Sequence, residues 1–452
     1  MNTRLPLAAG AAMAACALVL AAAPRAASAQ PSEKKPVPHA TVTTDNETPA
    51  LYDDEAGGSA VGDDPAIWVH PQDPAASIVI VTAKEGGLRV YDLDDEEVQS
   101  LAATPAPRAD GVAGRYNNVD IAYDVPLNGS QVDVAVVSDR YNDQLRFFTI
   151  DPAGADAATP LVEVTAADQP FLFSPDRDTV AEDHTAYGLA VWQPAGGADY
   201  AVVTQEGAPT LATARIVETG GGLGYTEVRS TVMPSSFPLR DGTTWNPCEE
   251  PGTGPQLEGL SVDQRTGVLY AAQEDVGLWR VPLPFGEGQP SLVDTVKDFG
   301  VHDVYDPQTE ECVPVDPDDE GFGGDALEAD AEGVDIYYAT GATGYIVVSS
   351  QGDDTFAVYR TQGRNDLVGT FRVAGIDGVD DVNGSDGLAI TNRPVDGHPH
   401  GLLVTHDEPE TGTDVDPGRE DATGFSYVDW AEVADALGLR VSTAAANDPR
   451  LR

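Results

Sequence analysis

Apolar residues along this chain recur in short runs, each ended by a polar turn. Six segments share one form, an apolar strand, a turn and a second apolar strand: IVIVTAKEGGLRVYDL, VDVAVVSDRYNDQLRFFTI, YAVVTQEGAPTLATARIV, VLYAAQEDVGLWRVPL, YIVVSSQGDDTFAVYR and GLLVTHDEPE. Their equivalent positions Thr82, Ser138, Thr204, Gln273, Ser349 and Thr405 lie 56, 66, 69, 76 and 56 residues apart. A second motif precedes each one: DDPAIWV, NNVDIAYDV, AYGLAVW, LEGLSVD, AEGVDIYY and SDGLAI. Its leading polar residues Asp64, Asn118, Tyr187, Glu258, Glu332 and Asp386 are spaced 54, 69, 71, 74 and 54 apart, so the two motifs keep step. The alternation after each leader is that of a half-buried strand. Six such units, with no long amphipathic helix between them, predict an all-β six-bladed β-propeller of antiparallel blades around a central channel. A pair of β-sandwiches is the alternative, and it explains neither the sixfold count nor the shared phase. One helix is expected on the outside, over Asp429–Leu439.

The ends differ from this pattern. Arg4, an apolar run from Leu5 to Ala23 and the small-residue site Ala27-Ser28-Ala29 predict a signal peptide over 1–29 and a secreted chain. A membrane anchor is the alternative, but the run is marginal for a span. Residues 30–50, with Pro31, Pro36 and Pro38, read as a flexible leader, 51–440 as the propeller and 441–452 as a C-terminal tail. Two cysteines remain after cleavage, Cys248 and Cys312, each in a Pro-, Gly- and acid-rich insertion. In an exported chain this favours one disulfide over two free thiols.

Charge narrows the function. Against 75 Asp and Glu stand 25 Lys and Arg, a formal net charge of −50, which the loss of Arg4 and Arg25 takes to −52. The lysines are Lys34, Lys35, Lys84 and Lys297. Such a surface excludes a nucleic-acid partner, and no later segment would bind or cross a membrane. In a propeller, the start of each first strand and the end of each second strand share one face. That brings Asp63, Asp64, Asn118, Asp120, Tyr187, Glu258, Asp330, Glu332 and Asp386 to one mouth of the channel. Lys84, Glu85, Asp139, Arg140, Glu206, Glu274, Asp275, Asp353 and Asp407 join them. Converging carboxylates repel unless protons or cations intervene. Outside the cell Ca²⁺ is the natural cation, because it takes many oxygen ligands in flexible geometry. The bland alternative is six solvated turns, acidic because the whole chain is. VDDVNGSDG (379–387) has the composition of a calcium loop without flanking helices. HExxH, CxxC, a Walker loop and a GxSxG elbow are all missing from the sequence.

These segments, in this order and spacing, resemble the β-propeller phytases, the calcium-dependent 3-phytases of secreting bacteria. The resemblance spans roughly residues 45–438. It is carried by DDPAIWVHP, GGLRVYDL, NNVDIAYDVPLNG, AYGLAVW, LEGLSVDQRTGVLYAAQED, AEGVDIYY, SSQGDDTFAVY and SDGLAI. It implies an enzyme that hydrolyses myo-inositol hexakisphosphate, as its calcium salt, by attack of a calcium-activated water; a monomer is expected. Several calcium ions would be held by Asp63, Asp64, the backbone at Pro65 and Val119, Asn118, Asp120, Glu258, Asp330, Glu332, Asp380, Asp386 and Asp407. Glu258, Asp330, Glu332, Tyr187 and Asp380 would form the cleavage site. Lys84, Arg140, Gln205 and Glu274 would face a neighbouring phosphate. Gln205 stands where the family has a lysine, and the Cys-bearing loops are longer than the family core. A calcium propeller lactonase or phosphotriesterase, or a non-catalytic calcium-binding propeller, is the alternative, because propellers host many functions.

Overall fold

The second strand of each repeat is apolar on both faces, and the fold explains why. Ile78, Val79, Ile80 and Val81 are all fully buried. Ile78 and Ile80 pack towards one neighbouring sheet, Val79 and Val81 towards the other. Side chains alternate across a strand, so a sheet packed on both faces needs an unbroken apolar run rather than alternation. Full burial of each such side chain contributes about 1.5–3 kcal/mol. Six hydrophobic clusters, one between each pair of adjacent sheets, form the core.

The sheets are the blades of a six-bladed β-propeller in this computed structural model, which describes residues 36–450 except 109–110, 183, 310, 414, 417, 420 and 445–447. The signal peptide expected over 1–29 lies outside the described residues. The innermost strands are Pro65–Trp68, Tyr116–Leu127, Ala186–Trp192, Leu257–Asp263, Ala331–Tyr338 and Leu388–Thr391. Each packs against the next around the ring, and the last against the first. The chain closes the ring with its own start: Leu51–Tyr52 forms the outer strand of blade 6, pairing antiparallel with Ala422–Asp429.

Part of the expected leader is ordered into the fold. His39–Thr44 runs parallel to Leu367–Gly375 and adds a fifth strand to blade 5. Its alternating HATVTT buries Val42 and Thr44, which the neighbouring prolines obscured. The helix runs over Trp430–Leu437, capped by the Asp429 carboxylate and ended by Gly438 in the left-handed region. It packs outside, with Trp430 stacked on Tyr337 at 4.3 Å. Cys248 and Cys312 are joined by a disulfide that links the two insertions. Among the described residues, no helix is long and apolar enough to cross a membrane.

Candidate active site

The leading polar residues of the repeat owe their orientation to a recurring β-bulge. Pairing between first and second strands skips between Tyr116 and Val119, Ala186 and Leu189, Leu257 and Leu260, and Ala331 and Val334. Asn117 and Asn118, Tyr187, Glu258 and Glu332 sit in those bulges, which turn the side chains out of the ladder. Hydroxyls of the second strand take up backbone N–H groups freed there. Ser138 Oγ accepts from Asn118 N at 3.0 Å, and Thr204 Oγ1 from Gly188 N at 2.7 Å. The Gly after the leader lets the next blade approach. A Cβ on Gly188 would lie 1.9 Å from the Glu258 carbonyl oxygen, and one on Gly259 2.1 Å from that of Glu332.

The bulges gather a buried acidic group at the mouth. Carboxylate oxygens of Glu258, Glu274 and Glu332 lie within 4.8 Å of one another, and all three residues are buried. Burial first, then the charges of Glu258 and Glu274, push Glu332 well up. Burial and the Glu258 charge do the same to Glu274. Glu258 is raised mainly by burial. The Tyr187 phenol is raised by burial and by the same three glutamates, so it stays protonated. Glu274 Oε1 and Glu332 Oε2 are buried with no hydrogen-bond partner.

Cations stand beside this group. Lys84 Nζ lies 3.4 Å from Asp386 and 3.7 Å from Asp63. Burial alone would lower the Lys84 pKa, but those two charges raise it. Arg140 pairs with Glu206 and lies over the Tyr187 ring, 5.2 Å from its centroid. Gln205 donates to the His184 carbonyl at 2.9 Å.

The predicted metal residues fall into three places. Asp63, Glu258, Glu332 and Asp386 are at the mouth, and Asp330 acts on Asp386 and Glu274 by its charge. Asp64, Pro65, Asn118, Val119 and Asp120 line a cavity of about 380 Å³ down the channel. Asp380 and Asp407 belong to a different group, with Glu47 and Glu410. The neighbours of Asp380 are the loop after blade 6's second strand and the segment before blade 1. In that group Asp380 Oδ1, Asp407 Oδ2 and Glu410 Oε2 are buried without hydrogen-bond partners. The two oxygens of Asp120 accept from the backbone of Ile121 and of Val191 in the next blade, both at 2.6 Å.

Sequence reasoning missed several residues. Asn117 is 1% exposed and its amide reaches Glu258 at 2.7 Å and Asp63 at 3.4 Å. The doubled Asn of NNVDI was the signal for it. Gln256 donates to Glu274 at 2.9 Å and accepts from Gly207 N, fixing the carboxylate from the first Cys-bearing insertion. Glu47 and Glu410 were hidden in the supposed leader and in the last turn, DEPE.

A family model described as phytase matches residues 8–228 and 316–451. The chain belongs to the phytase family. A 3-phytase of Bacillus subtilis (strain 168) is 31% identical over 407 residues, covering 88% of this chain and 86% of the relative. This phytase is thus a phosphate-ester hydrolase acting on a small-molecule substrate. The stretch that the family model leaves out, 229–315, holds both cysteines and blade 4. Among solved structures, a regucalcin described as a calcium-binding protein from Agrobacterium tumefaciens str. C58 aligns with TM-score 0.40 and 11% identity. It covers 91% of this chain and 99% of the other. The β-propeller domain of Myceliophteria thermophila Cps50 (Swd1) aligns with TM-score 0.36 and 12% identity over 81% and 83%. Neither likeness bears on function. The two acidic groups of this phytase have the donor atoms and the unmet oxygens to hold metal ions.

Proposed function

We propose that this phytase is an extracellular, monomeric, calcium-dependent enzyme that hydrolyses phosphomonoesters of myo-inositol hexakisphosphate, taken as its calcium salt. One observation carries the reading: three buried glutamates, two of them with an orphaned oxygen, meet beside Lys84 and Arg140. An oxygen-only donor set of several carboxylates suits Ca²⁺. When bound, calcium supplies charge neutralisation between carboxylate and phosphate and polarises the P–O bonds.

Glu258, Asp330 and Glu332 would hold ions on the cleavage side, with Asp63, Asp64, Asn118, Asp386 and the backbone at Pro65 and Val119 around them. Asn117 and Gln256 fix Glu258 and Glu274. Tyr187, protonated, donates to an oxygen of the phosphate being cleaved. Lys84 and Arg140 bind the neighbouring phosphate, Arg140 leaving Glu206 to do so. A charge-assisted bond of this kind positions the ester for in-line displacement by water. Gln205, bonded to His184, leaves the third-blade side of that pocket without a cation. Asp380, Asp407, Glu47 and Glu410 would hold a separate ion that ties the N-terminal segment to blade 6.

Phosphate release from calcium phytate, with and without excess chelator, tests the reading. Release should stop in chelator and return on adding calcium. Undiminished release in chelator removes calcium from the proposal, and no release in calcium removes the substrate.

A further inference from the structure

The mouth carries a third cation that the sequence motifs did not single out. Arg115 lies one residue before the innermost strand of blade 2, just outside the ring of carboxylates. Its backbone bridges the other two cations. Arg140 N donates to Arg115 O at 2.8 Å, and Tyr116 N, the next residue, donates to Lys84 O at 3.0 Å. Its charge acts on both Lys84 and Asp63. The three cations therefore form one row on the edges of blades 1 and 2.

Arg115 is also held ready. Nη1 donates to Ser59 Oγ at 2.6 Å, and the guanidinium lies 5.9 Å from the Tyr141 ring centroid. Nε is buried without a hydrogen-bond partner. Most cations near the mouth are claimed by acids: Lys84 by Asp63 and Asp386, Arg140 by Glu206, Arg146 by Asp139, Arg108 by Asp178. Among the described residues no carboxylate forms an ion pair with Arg115, in a chain with three acids to each base. A braced guanidinium in direct ion-pair contact with no carboxylate, beside two phosphate-binding cations, is suited to another phosphate oxygen, which it can grip with two parallel N–H groups.

We propose that Arg115 binds a further phosphate of the substrate, beyond the one cleaved and the one held by Lys84 and Arg140. It thereby sets a preference for highly phosphorylated inositols. This rests on the phytase reading of the mouth. Esters with a single phosphate make no use of it, so its contribution is binding energy shared by ground and transition states, which appears in KM.

The test compares wild type, Arg115→Gln and Arg115→Lys with phytate and with p-nitrophenyl phosphate in calcium. Gln keeps a donor for Ser59 and drops the charge, while Lys keeps the charge. Arg115→Gln should raise KM for phytate about tenfold, equivalent to about 1.4 kcal/mol, with kcat within about twofold. Arg115→Lys should recover most of that loss, and KM for the monophosphate should move far less than that for phytate. An unchanged phytate KM in Arg115→Gln, or equal rises for both substrates, overturns the proposal. If Arg115→Gln does not fold, Arg115→Lys decides alone: a phytate KM near that of wild type supports a charge role. A rise as large for the monophosphate overturns it. Wild type inert on phytate overturns the phytase reading itself, an outcome distinct from both.

Discussion

Asp335 and Glu332 are three residues apart, a half-buried and a buried acid near the head of one strand, and they do opposite things. Asp335 accepts from Ile336 N at 2.7 Å, from Ile390 N of the next blade at 2.6 Å and from Ser261 Oγ at 3.0 Å. It pins blades 4, 5 and 6 together, as Asp120 pins blades 2 and 3. Glu332 has a buried oxygen with no partner and two acidic neighbours. Substitution separates the roles. Asp335→Asn sets an amide N–H against the Ile390 N–H, costing about 1–3 kcal/mol with or without calcium. Glu332→Gln mimics the proton that burial already holds there, so the metal-stripped protein should keep its Tm and lose much of the calcium-induced rise. Calorimetry with and without calcium checks both, and a metal-dependent loss in Asp335→Asn would refute the distinction. The sequence does mark this difference, in retrospect. NNVDI and EGVDI align Asp120 with Asp335, one turn of the alternation past the bulge, and both aspartates accept from a backbone N–H of the next blade.

At the scale of elements, the repeat was legible because burial on both faces writes a continuous apolar run into every second strand. The bulges were not, since a skipped pairing leaves no residue type of its own beyond the Gly that follows. Nor were His39–Thr44 and Leu51–Tyr52, because their partners lie more than 300 residues away. The bulge glycines give the element-scale test. Gly188→Ala drives a Cβ into the Glu258 backbone, where neither strand has a flexible side chain to yield. The blade 3–4 contact should loosen, at a cost of about 1–3 kcal/mol, and Glu258 should move, so phytate turnover and Tm should fall together. Gly111→Ala, whose Cβ meets only ordinary contacts in a rim loop, should change neither. Full activity in a destabilised Gly188→Ala would show that the bulge supports the fold without aiming Glu258.

Within a molecule of net charge −50, a subset of the acids is buried where the fold can least tolerate ionised carboxylates without a cation. Burial pushes Asp407 up to about 9, Glu410 and Glu249 up to about 8, and Asp275 up to about 7, with neighbouring acids adding to each. Their ordinary values are 3.8 for Asp and 4.5 for Glu. Between those values and about 9 the metal-free native state therefore holds protons that the unfolded chain has released. Stability falls with rising pH wherever the native state binds more protons, so the metal-stripped protein should weaken steadily from about pH 4 to about pH 9 and then level off. In the proposed calcium-bound form Asp407 and Glu410 would be ionised in the native state, and their part of that downward slope would disappear. Ligands that bind only the native form add stability by mass action, and proton competition for their oxygens fades as pH rises. The gap in Tm between calcium-loaded and stripped protein should accordingly be smallest near pH 5 and largest near pH 9. Calorimetry at pH 5, 7 and 9 measures it directly. A gap that stays constant, or narrows towards pH 9, would mean that these buried acids are not where calcium and protons compete.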